Sequence, residues 1–132
     1  METLKLLDGI VDIYMPDMKY SDEKVTEQLS GIKNYPSVNR AALKEMHRQV
    51  GDLKIGEQGV AQRGLLVRHL VLPNWLAGTQ EVVRFLAEEV STNTYLNIMA
   101  QYHPGYKAFD IPSLARPLHR QGFNEAIDLA HQ

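Results

Sequence analysis

Residues 11–20, VDIYMPDMKY, decide the reading of the fold. Val11, Ile13 and Met15 make a short apolar run, and Pro16 ends it by removing a backbone donor and restricting the residue before it. Asp17 and Lys19 follow directly. Two later stretches repeat the design: LLVRHLVLP, ending at Pro73, and TYLNIMAQYHP, ending at Pro104. An apolar strand that releases polar groups at its carboxyl end is how α/β proteins build sites. Side chains alternate along a strand, so Asp12 and Tyr14 share one face and Ile13 and Met15 the other. The expectation is that Asp12 and Tyr14 face the concave interior of the sheet, with helices over the opposite side.

Outward from that strand, Thr3–Leu7 reads as a last helical turn stopped at Gly9. Ile10–Met15 is expected to be a buried strand. Ser21, followed by Asp22, Glu23 and Lys24, suits a helix start, because a hydroxyl cap and early acids satisfy the free amides of a first turn. That helix stops near Gly31. After Asn34-Tyr35-Pro36, Ser37 is expected to cap a second helix through Val50, with Val38, Ala42, Met46 and Val50 as its apolar stripe, joined by Ala41 and Leu43. His47 is expected to be solvated. Leu53 and Ile55, then Val60, flank Gly56-Glu57-Gln58-Gly59, the pattern of a small hairpin.

Leu65–Leu72 is the most hydrophobic segment, and Arg68 interrupts it. An unpaired buried guanidinium is very costly, so Arg68 requires a carboxylate, an anion or water. His69, on the other face, is expected to pack against helices. Trp75 follows the strand end, as a cover for a ligand or a plug of the rim. A helix opens at Gly78-Thr79, and a third strand spans Thr94 to about Ala100 with Asn97 as a buried polar residue that needs a partner. Gln101, Tyr102 and His103 occupy its mouth, and a last helix runs from about Asn124 to Ala130. Strand, helices, strand, helix, strand, helix is the order of an α/β sheet or barrel segment.

Composition sets outer limits. The 132 residues are 44% hydrophobic and 23% charged, with 14 Lys and Arg against 16 Asp and Glu for a formal charge of -2. That balance suits one soluble domain and gives no bulk attraction to nucleic acid. No apolar run approaches the roughly 18–20 residues of a membrane span, and METLKLLDG lacks a signal-peptide pattern, so a cytoplasmic location and no membrane partner are expected. Cysteine is absent, which excludes disulfides and thiolate-held metal centres built from this chain alone.

DIYMPDMKY, RHLVLP and QYHP together resemble the carboxyl-terminal half of the radical S-adenosylmethionine proteins, in the subgroup of pyruvate formate-lyase activating enzyme. The resemblance implies half of a partial (β/α)6 TIM-like barrel, with about three parallel strands and helices on the outer face. It implies that residues 1–132 are one domain and a piece of a longer protein. S-adenosylmethionine would lie near Lys19, Arg68, Asn97 and His103, and substrate near Asp17 and Tyr102. No residue is given a catalytic or metal-binding role. A [4Fe-4S] cluster and S-adenosylmethionine would belong to the intact parent, where a 5'-deoxyadenosyl radical removes hydrogen from a substrate, which could itself be a protein. The family's CxxxCxxC loop is missing, so this chain alone is expected to be inactive and to bind neither group tightly. The edge strand near Ile10–Met15 would invite a homodimer. Two other readings stand beside this one: an α/β enzyme, without metal, that binds a carboxylate or phosphate substrate, and a non-enzymatic half-barrel module that dimerises.

Overall fold

The computed structural model describes residues 1–131. It is a mixed α/β fold with a parallel sheet flanked by helices. The elements are α1 (Glu2–Leu6), β1 (Ile13–Tyr14), α2 (Glu23–Ser30), α3 (Tyr35–Val50), β2 (Lys54–Ile55), β3 (Ala61–Leu70), α4 (Thr79–Glu89), β4 (Tyr95–Met99) and α5 (Arg120–Ala130), with 3-10 turns at Pro73–Trp75 and Tyr106–Asp110. β3 is central. β1 runs parallel along one side of it, with Ile13 opposite Gly64 and Tyr14 opposite Leu65. On the other side β2 pairs antiparallel with its first residues and β4 parallel with its last, Leu66 opposite Tyr95 through Leu70 opposite Met99. Among the described residues the sheet stays open at both edges, with β1, β3 and β4 parallel and β2 antiparallel.

The expected strand Ile10–Met15 is shorter than its apolar run. Pro16 has no N–H to give the ladder, so pairing breaks there and resumes one residue later, where Asp17 bridges Arg68. The Arg68 amide donates to the Pro16 carbonyl at 2.9 Å, and the Met18 amide donates to the Arg68 carbonyl at 2.8 Å.

The two faces of β1 are the reverse of the expectation. Tyr14 is buried, and its hydroxyl donates to Gln49 Oε1 on α3 at 2.7 Å. Alternation then turns Ile13, Met15 and Asp17 to the opposite side, where Met15 is 55% exposed. The helix-covered face carries Tyr14, Met18, Leu65 and Val67, packed on Leu43 and Val50 of α3 and on Val82, Phe85 and Leu86 of α4. Apolar burial of this kind, at roughly 25 cal/mol per Å², holds the helices to one side of the sheet.

Local chemistry explains the helix ends. Asp22, not Ser21, caps α2: its Oδ1 accepts from the Val25 amide at 2.9 Å. Ser21 instead anchors the strand-to-helix turn, its amide donating to the Ala77 carbonyl at 3.2 Å. Gly31 ends α2 in the left-handed region at φ 67°, where a side chain is strained. Asp22→Ala is expected to cost about 1 kcal/mol, the usual loss for a cap, read as a lower urea midpoint with an unchanged slope. α3 begins earlier than predicted, with Pro36 inside its first turn, and it is rotated. Pro36, Leu43 and Val50 are buried, with Met46 half-buried, whereas Val38 is exposed. The spacing of these positions is still helical; Leu43, expected to join the stripe, lies at its buried centre, whereas Val38 and Ala41 are exposed. α5 likewise starts four residues before the predicted Asn124.

The hairpin and His69 follow expectation. Gly56 donates to Val60 at 2.9 Å across the turn, and Gly59 has φ 75°. His69 is wholly buried under α4. His47 is not solvated: half-buried, it bonds Asp52 Oδ1 through Nε2 at 2.8 Å. No helix among the described residues is long and apolar enough to cross a membrane.

Candidate functional site

Three strands place a polar row across the uncovered face of the sheet. Asp17 bridges Arg68, and Arg68 is in register with Asn97. Residues paired in this way project to the same side of a parallel sheet, so the three side chains stand next to one another. Arg68 Nε donates to Asp17 Oδ1 at 2.7 Å, and Lys19 Nζ lies 3.0 Å from Asp17 Oδ2. The requirement for an anion at Arg68 is thus met by a residue 51 positions away.

Two cations share one carboxylate, which leaves the cluster with a single uncompensated positive charge. Arg68 is 38% exposed and Lys19 48% exposed, so both reach water. Among the described residues only Nε of the guanidinium is engaged; the terminal nitrogens, the pair that fits two oxygens of a carboxylate or phosphate, make no hydrogen bond there. Asn97 is exposed, not buried as its place on an apolar strand predicted, because β4 turns it to the uncovered face. Partial burial acts to raise the Asp17 carboxyl, but hydrogen bonds from Lys19 and Arg68 outweigh it and hold the group below the usual carboxylate range. Asp17 is therefore ionised at neutral pH, an orienting anion and a poor proton acceptor.

The turn that carries Asp17 and Lys19 is fixed from beneath. The Asp17 carbonyl accepts from Tyr35 Oη at 3.2 Å and from Asn39 Nδ2 at 3.0 Å. The Lys19 amide donates to the same Tyr35 oxygen at 3.0 Å. Burial pushes the Tyr35 hydroxyl up, which keeps it protonated and able to donate. Tyr20 meets Tyr35 edge to face, with centroids 5.9 Å apart. On the other side His69 Nδ1 lies 2.6 Å from the Met18 carbonyl and Nε2 lies 3.0 Å from Thr79 Oγ1. A carbonyl only accepts, so Nδ1 carries the proton and Nε2 accepts from the threonine. Burial depresses the pKa of His69 and keeps the ring neutral. Tyr35 and Asn39 were invisible to sequence reasoning, since no local pattern links them to residues 18 and 22 positions earlier.

The other predicted residues fall outside this cluster. Tyr102 turns into a second apolar group with Leu72 and Leu114, and its hydroxyl donates to the Leu114 carbonyl at 2.8 Å. His103 is exposed on the following turn. Trp75 is also exposed, beside a separate cleft of about 200 Å³ between the turn after β3 and α5.

The chain has no cysteine, and among the described residues no group of three or more His, Cys, Asp or Glu is placed to hold a metal ion. These findings overturn the radical S-adenosylmethionine reading, and with it the pyruvate formate-lyase activating enzyme-like activity, the [4Fe-4S] cluster and S-adenosylmethionine as cofactor. No family model matches the chain, and no solved structure matches it. The chain is similar to an uncharacterized protein of Methanocaldococcus jannaschii, 32% identical over 133 residues that cover all of this chain and 35% of that protein. The chain thus spans about a third of the length of the curated relative it matches.

Proposed function

We propose that this chain is an anion-binding α/β domain whose ligand presents a carboxylate or phosphate to Arg68 and Lys19. The observation that carries the reading is the ratio of charges: two reachable cations to one carboxylate, on a face that no helix covers. Asp17 orients the guanidinium, and Asn97 offers an amide beside it. Groups held by backbone hydrogen bonds on both sides lose little freedom when a ligand arrives, which favours binding.

The sign of one substitution tests this. Asp17→Asn removes the compensating charge and raises the net charge of the cluster by one. A unit charge about 4 Å away is worth about 1 kcal/mol in water, or about fivefold in affinity. Titration of inorganic phosphate and of acetate, followed by amide NMR shifts at residues 17–19 and 68, is expected to show tighter binding by the variant. Weaker binding by Asp17→Asn, or no shift at these residues in either protein, would remove the anion reading.

A further inference from the structure

The residues around the polar row restrict what kind of anion fits. On the uncovered face the row before it is Met15, Leu66 and Tyr95, with Leu66 and Tyr95 directly paired. Met15 is 55% and Tyr95 47% exposed. The row beyond it is closed: Leu70 packs into the apolar group formed by Tyr102, Ile111 and Leu114 from the segment after β4. A ligand whose charged end meets Arg68 therefore has the chain's own loop on one side and open apolar surface on the other.

We infer that the ligand is an amphiphilic monocarboxylate, its head at Arg68 and Asn97 and its apolar body lying back along the sheet over Leu66, between Met15 and Tyr95. This rests on the anion-binding reading and names the ligand class of the same site. Three observations support it. The cluster has one excess positive charge, which one carboxylate neutralises, whereas the second charge of a phosphate would meet Asp17 uncompensated. The apolar row begins two residues from Arg68, about 7 Å at the rise of a strand, a span that a chain of several carbons covers. Parallel sheets have both faces covered as a rule, and contiguous exposed apolar surface rimmed by polar groups is a feature of ligand-binding grooves.

The experiment compares acetate, inorganic phosphate and octanoate, the last below its aggregation concentration, titrated into the whole chain with shifts mapped by NMR. Octanoate is expected to bind about tenfold or more tightly than acetate, because its added methylenes leave water, and to shift Met15, Leu66 and Tyr95 as well as Arg68. Met15→Ser, a change at an exposed position, is expected to weaken octanoate by about threefold or more. Acetate and octanoate binding within twofold of each other, or octanoate shifts centred on the cleft beside Trp75, would overturn the inference and leave the anion site standing. Failure of acetate and phosphate to bind at all would overturn the anion site itself. Shifts at Met15 and Tyr95 that grow with protein concentration in the absence of ligand would show a second copy on this face, and would also overturn it.

Discussion

Arg68→Met is expected to lower the affinity for small anions by about 10- to 100-fold, the loss of a charge-assisted hydrogen-bond pair worth about 1.5–3 kcal/mol. Methionine keeps much of the stem that crosses the sheet, so the backbone bonds of Arg68 to Pro16 and Met18 remain. Asp17 keeps Lys19. Because Arg68 is more than a third exposed, the cost to folding is small, about 1 kcal/mol. Arg68→Lys retains the charge but not the planar fork, and is expected to recover part of the affinity. The pH dependence provides a second reading. In the folded wild type the Asp17 carboxyl lies below its ordinary value of 3.8, so its contribution to stability is complete above that value and is lost as pH falls through the folded value. Removal of Arg68 takes away one of the two hydrogen bonds that lower it, and the acid limb of the stability curve is expected to move upward in pH. An unchanged acid limb together with unchanged anion affinity would show that the pair has no part in the site.

His69→Leu carries the largest expected effect on folding. The ring is fully buried, and Thr79 is 1% exposed beside it. Leucine fills a similar volume but leaves the Met18 carbonyl and the Thr79 hydroxyl without partners in an apolar layer. Each orphan costs about 1–3 kcal/mol, so a total of roughly 2–6 kcal/mol is expected from urea unfolding at pH 7.5. The sign with pH runs against the wild type. His69 is held below its ordinary 6.5 by burial, so the unfolded chain takes up the proton first. The stability conferred by the neutral ring is complete above 6.5 and declines as pH falls from there toward the folded value. The difference between wild type and variant is therefore expected to shrink between pH 7.5 and 5.5, by at most about 1.4 kcal/mol per pH unit. A difference that grows on acidification would mean that the ring is protonated in the fold.

The same variant reports on the site. His69 holds the Met18 carbonyl in the middle of the turn that presents Asp17 and Lys19. Loosening that turn is expected to weaken anion binding even under conditions where the variant remains folded.

The sequence by itself determined the elements and much of their punctuation. Pro16 ended the first strand, Gly31 ended α2, and the glycines at 56 and 59 turned a hairpin, because each acts through its own backbone. It also determined that Arg68, set in the most hydrophobic segment, needed a carboxylate, an anion or water, since a buried guanidinium left unpaired is very costly. Only the tertiary structure decided which of these it met, which face of β1 lay under the helices, and which groups held the turn. Alternation along a strand separates two faces without saying which is buried; that choice came from the packing of Tyr14 with Met18, Leu65 and Val67 against α3 and α4, where Gln49 accepts from the Tyr14 hydroxyl. Asn97 was exposed for the same reason, on the side that α3 and α4 leave open. Tyr35 and Asn39 reach Asp17 only because α3 crosses beneath it, a contact made by packing between segments and recorded in no local pattern of residues.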